Sequence, residues 1–199
     1  LDLSPRGSLL VTDVDSGATT QVDFPESTRS DTWATWAPYA SLLSANGCFY
    51  TLAGKTLLEF DPNRRAFTFH GVPAASETCC VDTAMADGPD GRIYAATHPN
   101  ARLVSFDPAT QELRDHGQLD AAEHYPGSLA VDAAGWIYAG IGTARWNFVA
   151  FDPRTNVMRP LLVESERGQG SARVSKGTDG AVYGKAGGRH YRLHPDRAE

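Results

Sequence analysis

A few short stretches of this 199-residue chain hold residue types that could move a proton or grip an anion. "THPNAR" supplies His98, Asn100 and Arg102, "EHYPG" supplies His124 and Tyr125, "IGTARW" supplies Arg145 and Trp146, and "VESERGQGSAR" supplies Arg167. Trp33 and Trp36 stand three positions apart in "FPESTRSDTWATWAPYA". A guanidinium fork meets a carboxylate at two points, and aromatic rings stack on flat apolar faces such as those of sugars. Imidazole and phenol groups can take a proton from carbon beside a neutralised carboxylate and return one to a leaving oxygen. Two chemistries are therefore expected. One is recognition of a ring-bearing or anionic ligand through Asn100, Arg102, Arg145, Trp146, Arg167, Trp33 and Trp36. The other is β-elimination, with His98, His124 and Tyr125 as proton-transfer groups and Arg102 or Arg145 clamping the carboxylate.

These stretches interrupt a repeat, and the repeat must position them. "FDP" recurs at Phe60-Asp61-Pro62, Phe106-Asp107-Pro108 and Phe151-Asp152-Pro153, with "VDS" at 14–16 and "LHP" at 193–195 in the corresponding places. Asp15, Asp61, Asp107 and Asp152 are spaced 46, 46 and 45 residues apart. A Gly-x-x-Tyr pattern at Gly47/Tyr50, Gly91/Tyr94, Gly135/Tyr138 and Gly180/Tyr183 keeps spacings of 44, 44 and 45. Between these markers lie short apolar and β-branched runs bounded by turn residues, and no stretch sustains a helical apolar rhythm. In the clearest unit, strand a is expected over 128–131, b over 136–140, c over 148–151 and d over 157–162. Asp-Pro pre-sets a type I turn, and glycine at the end of the a–b turn supplies the positive φ of a tight hairpin. The turn aspartates are accordingly structural.

Four antiparallel strands in about 45 residues, repeated without helices, predict an all-β fold of β-propeller blades. The "DGxxYAxx…xLxxFDPxT" grammar resembles bacterial propellers of the gluconolactonase-like, NHL-like and quinoprotein-like superfamilies, and also propeller-type polysaccharide lyases. The last resemblance implies His and Tyr as proton carriers on a uronate-containing glycan. The quinoprotein-like resemblance adds a disulfide between adjacent Cys79 and Cys80 as an alternative to three reduced thiols, Cys48 included. The chain reads as one propeller domain over 1–199, with blades near 38–72, 80–118 and 127–163 and partial blades at 1–25 and 171–199. Either an arc of a larger ring or a four-bladed ring fits that count, and an open arc would expose blade edges and invite self-association.

Alternating strands put the regular a–b and c–d turns on one face of the disc and the variable d–a and b–c loops on the other. The variable face is the expected ligand face. It also collects Glu123, Arg173, Arg189 and His190, whereas His70, His116 and His194 read as surface or edge residues. The formal net charge of −6 excludes a dense basic surface and so argues against nucleic acid. No apolar run approaches a membrane span, and no phosphate-loop, dinucleotide or nucleophile-elbow motif is present. The expectation is a small-molecule or glycan ligand in an extracellular or periplasmic setting, without metal, cofactor or membrane insertion.

Overall fold

The computed structural model describes residues 7–25, 40–53, 55–74 and 84–199. Trp33, Trp36, Cys79 and Cys80 lie outside them, so the ligand contacts expected of the two tryptophans and the state of the two cysteines have no structural counterpart here.

Short apolar runs separated by Asx-type turns fold into antiparallel hairpins, and the hairpins join into sheets of four. An amino-terminal pair, β1 (Ser8–Thr12) and β2 (Thr19–Asp23), forms a two-stranded sheet. Blade I contains β3 (Ser41–Leu43), β4 (Phe49–Ala53), β5 (Thr56–Asp61) and β6 (Ala66–Gly71). Blade II contains β7 (Met85–Asp87), β8 (Ile93–Ala96), β9 (Arg102–Asp107) and β10 (Glu112–Gln118). Blade III contains β11 (Pro126–Val131), β12 (Ile137–Ile141), β13 (Asn147–Asp152) and β14 (Val157–Pro160). Blade IV contains β15 (Arg173–Lys176), β16 (Val182–Ala186), β17 (Arg189–His194) and β18 (Arg197–Ala198). Each blade is an up-and-down sheet in chain order, and the first strands β3, β7, β11 and β15 pack against one another in sequence.

Two details depart from the sequence reading. Asp13 rather than Asp15 closes the β1–β2 turn, with its carboxylate accepting from the amides of Asp15 and Ser16 at 3.2 and 2.9 Å. At the carboxyl end, "DRAE" returns as β18 and pairs Ala198 with Leu193, so the last sheet holds four strands rather than three. The β15–β18 sheet borrows no strand from the amino-terminal pair, and the described residues form an arc.

The repeated markers are scaffold. Asp61, Asp107 and Asp152 accept from the amides of Asn63, Ala109 and Arg154 at 2.8, 3.0 and 3.0 Å. The repeated tyrosine, buried in blades I to III and partly exposed in blade IV, donates its hydroxyl to a carboxylate. Tyr94 donates to Asp90 at 2.9 Å, Tyr138 to Asp132 at 3.0 Å and Tyr183 to Asp179 at 2.8 Å, while Tyr50 uses Glu59 on the neighbouring strand at 2.6 Å. Burial first, and the adjoining carboxylate second, push the phenols of Tyr50 and Tyr94 above their ordinary range. Gly88 and Gly177 open the turn under two of these rings, where an added Cβ would stand 2.4 and 2.6 Å from Tyr94 and Tyr183.

Blade packing follows from strand alternation. The face of each blade that carries the tyrosine meets the opposite face of the next blade. Tyr50 approaches Phe106 at 6.1 Å between ring centres, and Tyr94 approaches Phe151 at the same distance. Between blades III and IV, Ala130, Tyr138, Phe148 and Ala150 bury against Val174, Val182, Ala186 and Leu193. His116 is not the edge residue expected. It is half-buried between blades II and III, its ring 4.8 Å from that of Phe151. An amide oxygen only accepts, so His116 Nδ1 donates to Asn156 Oδ1 at 2.6 Å and Nε2 accepts from the Ser105 hydroxyl at 2.8 Å. Burial holds its pKa below the ordinary histidine value. Burial likewise pushes the half-buried Cys48 thiol up, with Glu59 and Asp61 adding to the shift, and Cys48 is a free thiol.

Two measurements check this packing. Phe106 is fully buried, so Phe106→Ala should lower unfolding free energy by about 3–5 kcal/mol in denaturant titrations. The unfolded chain binds a proton at His116 more readily than the folded one. Its contribution is therefore fully present above the ordinary histidine value of 6.5 and lost as pH falls below it toward the lowered folded value. His116→Gln should flatten the pH dependence of the unfolding midpoint in that window.

Candidate functional site

The two kinds of connection separate onto opposite faces. The a–b turns of blades II and III and the c–d turn of blade III together line a cleft of about 350 Å³ through Pro89, Asp90, Gly135, Pro153 and Arg154. On the other face, the loop between β8 and β9 meets the loop that leads into β11. His98 comes from blade II and Tyr125 from the entry to blade III, and their rings lie 4.0 Å apart at 39°. The Tyr125 carbonyl accepts from the Gly142 amide at 2.9 Å, which fixes the backbone to the end of β12 while the side chain reaches across the seam. Tyr125 is 39% exposed, enough to present one ring face to solvent, and the adjacent His124 is exposed as well. Of the residues expected to act together, His98, His124 and Tyr125 thus share one surface.

Below that surface the loops are fastened by carboxylates. Glu123 is buried at 3% exposure and accepts from three consecutive amides of the β12–β13 loop: Thr143 at 2.8 Å, Ala144 at 3.2 Å and Arg145 at 2.6 Å. Three such bonds satisfy the charge that burial would otherwise penalise.

The arginines expected as carboxylate clamps are engaged within the protein. Arg102 Nε donates to Asp115 at 2.8 Å across β9 and β10. Arg145 pairs with the Glu164 carboxylate and donates to the carbonyls of Glu164 and Arg167 at 2.7 and 2.8 Å. Arg167 is mostly buried, bonds Asp120 at 3.1 Å and Glu164 at 3.2 Å, and donates to the carbonyls of Trp146 and Arg145 at 3.2 and 3.0 Å. Arg145 and Arg167 therefore join the loops of blades II and III to the 3-10 turn at Glu164–Glu166. Trp146 is likewise a packing residue. Its ring lies where a Cβ on Gly168 or Gly187 would come within 2.3 Å, wedged between the loops of blades III and IV. Its Nε1 is buried without a hydrogen-bond partner among the described residues. The Asn100 carbonyl accepts from Gln118 Nε2 at 3.3 Å, and Arg173 donates to the Gly127 carbonyl at 3.0 Å. Among the described residues, no group of three or more His, Cys, Asp and Glu side chains is placed to hold a metal ion.

Basic and aromatic residues dominate those gathered on this face in the sequence, with Glu123 the acid among them. Asp115, Asp120 and Glu164 occupy the same or adjoining segments, and they convert the apparent cationic patch into closed ion pairs. Their presence within a few positions of the arginines was the available signal.

No protein-family model and no curated protein matches the sequence. Solved structures do match the fold. Virginiamycin B lyase from Staphylococcus aureus overlays 94% of this chain with a TM-score of 0.72 at 11% identity, and a streptogramin B lyase overlays 98% with a TM-score of 0.69 at 11% identity. The extracellular domain of a one-component system from B. thetaiotaomicron overlays 88% of this chain and 23% of its own, with a TM-score of 0.60 at 14% identity. The chain spans 60% and 61% of the length of the two lyases. At these identities the likeness carries the fold alone, a β-propeller repeat. Among the described residues, no helix is long and apolar enough to cross a membrane.

The fastening carboxylate and the exposed ion pair should respond differently to substitution. Glu123→Ala leaves buried amides without acceptors and should cost about 1–3 kcal/mol, with faster amide exchange at Thr143, Ala144 and Arg145. Arg102→Ala removes a partly exposed pair and should cost less than about 1 kcal/mol in the same denaturant titration.

Proposed function

We propose that this chain is a ligand-binding β-propeller whose binding surface is the loop face at the seam of blades II and III. His98, His124 and Tyr125 form its centre, and the ligand is a small molecule or glycan that presents a ring face. The observation that carries this reading is the His98–Tyr125 ring pair, held from two blades with Tyr125 and His124 open to solvent. Aromatic and imidazole faces of this kind contribute stacking area and a hydrogen-bonding edge at low conformational cost. Engagement of Arg102, Arg145 and Arg167 within the fold favours an uncharged ring over a carboxylate. An extracellular or periplasmic setting belongs to the same reading, in keeping with the extracellular domain among the fold neighbours.

A second reading, β-elimination, draws on one observation. An imidazole and a phenol in ring contact can hold and pass a proton, and two fold neighbours are lyases. A uronate-specific lyase of the kind expected from the sequence would also need a guanidinium opposite the carboxylate. The three arginines chosen for that role are tied to Asp115, Asp120 and Glu164. Binding is accordingly placed first.

Calorimetric titration with defined probes tests the order of these readings. The probes are neutral oligosaccharides, uronate oligomers, and quinupristin, which accompanies a virginiamycin B lyase variant among the fold neighbours. At least one neutral-ring probe should bind, and His98→Ala or Tyr125→Ala should weaken it about tenfold, a change of roughly 1.4 kcal/mol. Arg102→Ala should leave that affinity unchanged. Preferential uronate binding lost in Arg102→Ala would contradict the proposal. Appearance of the ultraviolet absorbance of an unsaturated uronate, abolished in His124→Ala, would place the lyase reading first.

A further inference from the structure

The four blades share one strand register, so the same positions can be compared on the face that each presents to the blade after it. Opposite the repeated tyrosine on the first strand stand Leu42, Ala86, Ala130 and Ser175. Two positions beyond the tyrosine stand Leu52, Ala96, Gly140 and Lys185, and opposite these stand Leu57, Leu103, Phe148 and His190. On blades I to III, the positions corresponding to Lys185 and His190 are buried, and Leu103 and Phe148 reach zero exposure. On blade IV, Ser175, Lys185 and His190 are all exposed. Arg192, paired with Tyr183, is exposed too, where blades I, II and III have the buried residues Glu59, Ser105 and Ala150.

The opposite face of the same blade is conventional. Val174, Val182, Ala186 and Leu193 are buried against blade III, so blade IV is a correctly stacked repeat whose apolar character stops at one side. We infer that the outward face of blade IV is a polar cap toward other copies of this chain: no apolar blade face of a second copy docks on it.

Three physical points support the cap. Burying Lys185, His190 and Arg192 against an apolar blade would desolvate charges for which that blade offers no partner. Arg192 instead lies over the Tyr183 ring at 6.0 Å and within 3.8 Å of Asp179, an arrangement suited to a wet surface. Residues 171–199 also carry six Lys and Arg against three Asp and Glu, in a chain of net charge −6. A two-fold contact through this face would therefore set like charges against each other. For this face, the self-association expected of an open arc is reversed.

Sedimentation velocity of the full chain tests the cap at low and at high salt. The wild-type protein should sediment as a monomer of 21.4 kDa in both. Making this face apolar with Ser175→Ala, Lys185→Ala, His190→Leu and Arg192→Ala should shift the distribution to dimers or larger species in a concentration-dependent way. Circular dichroism confirms that the variant folds, and the pair Lys185→Ala, His190→Leu supplies the same reading if the fourfold variant does not. A wild-type dimer dispersed by Lys185→Glu would overturn the inference, because the face would then be an interface. Folded variants that remain strictly monomeric would also overturn it, because polarity would then not be what keeps the face free.

Discussion

Burial of one blade face against the next is the constraint on which the rest of this structure depends. Blades I to III are each only four strands wide and carry apolar side chains on both sides, so any one of them alone would leave half of these wet. Stacking places Tyr50 and Leu57 against the Phe106 side of blade II, and Tyr94 and Leu103 against the Phe151 side of blade III. Each large side chain removed from water contributes roughly 1.5–3 kcal/mol, and this contribution recurs at every seam. The repeated hydroxyl-to-carboxylate bond belongs to the same constraint, since a buried phenol must find an acceptor. Asp90, Asp132 and Asp179 meet that need from the a–b turn, whereas Glu59 meets it from the neighbouring strand in blade I.

Because seams fix the blades, they also fix which loops meet. On the turn face each aspartate satisfies amides two or three residues away, and neighbouring turns also bond across blades, Ser44 to Asp87 at 2.5 Å and the Ala133 amide to the Gly180 carbonyl at 3.0 Å. On the loop face the bonds run through ion pairs and a buried carboxylate. Glu123 fastens the β12–β13 loop, and Arg145 and Arg167 tie that loop to Asp120 and Glu164. Charged groups there act as fasteners, and what they leave facing outward at the seam of blades II and III is the ring pair and His124. Binding and fastening are thus divided between uncharged rings at the surface and ion pairs beneath it.

The architecture was legible because turn chemistry is local. "FDP" and Gly-x-x-Tyr each specify a turn without reference to distant residues, and counting them gives the blades. Where local signals thin out, the reading slipped. "VDS" imitated the turn marker although Asp13 closes that hairpin, and the two-residue strand β18 has too little apolar content to announce itself. His116 looked like an edge residue because its partners, Ser105 and Asn156, are 11 and 40 residues away. The partners of the arginines are hidden for the same reason: a guanidinium in a loop is paired according to which acid the fold brings beside it. Arg102 finds Asp115 on the next strand, and Arg167 finds Asp120 from the preceding loop. Contact between the loops of His98 and Tyr125, by contrast, followed from blade geometry alone.

The account rests on that cross-seam contact, and a double-mutant cycle on stability measures it most directly. Unfolding free energies of wild type, His98→Ala, Tyr125→Ala and the double variant should give a coupling of about 0.5–1.5 kcal/mol, as expected of rings in contact across the seam. Strictly additive losses would mean that the two rings do not meet, and would remove the surface on which the proposed function depends.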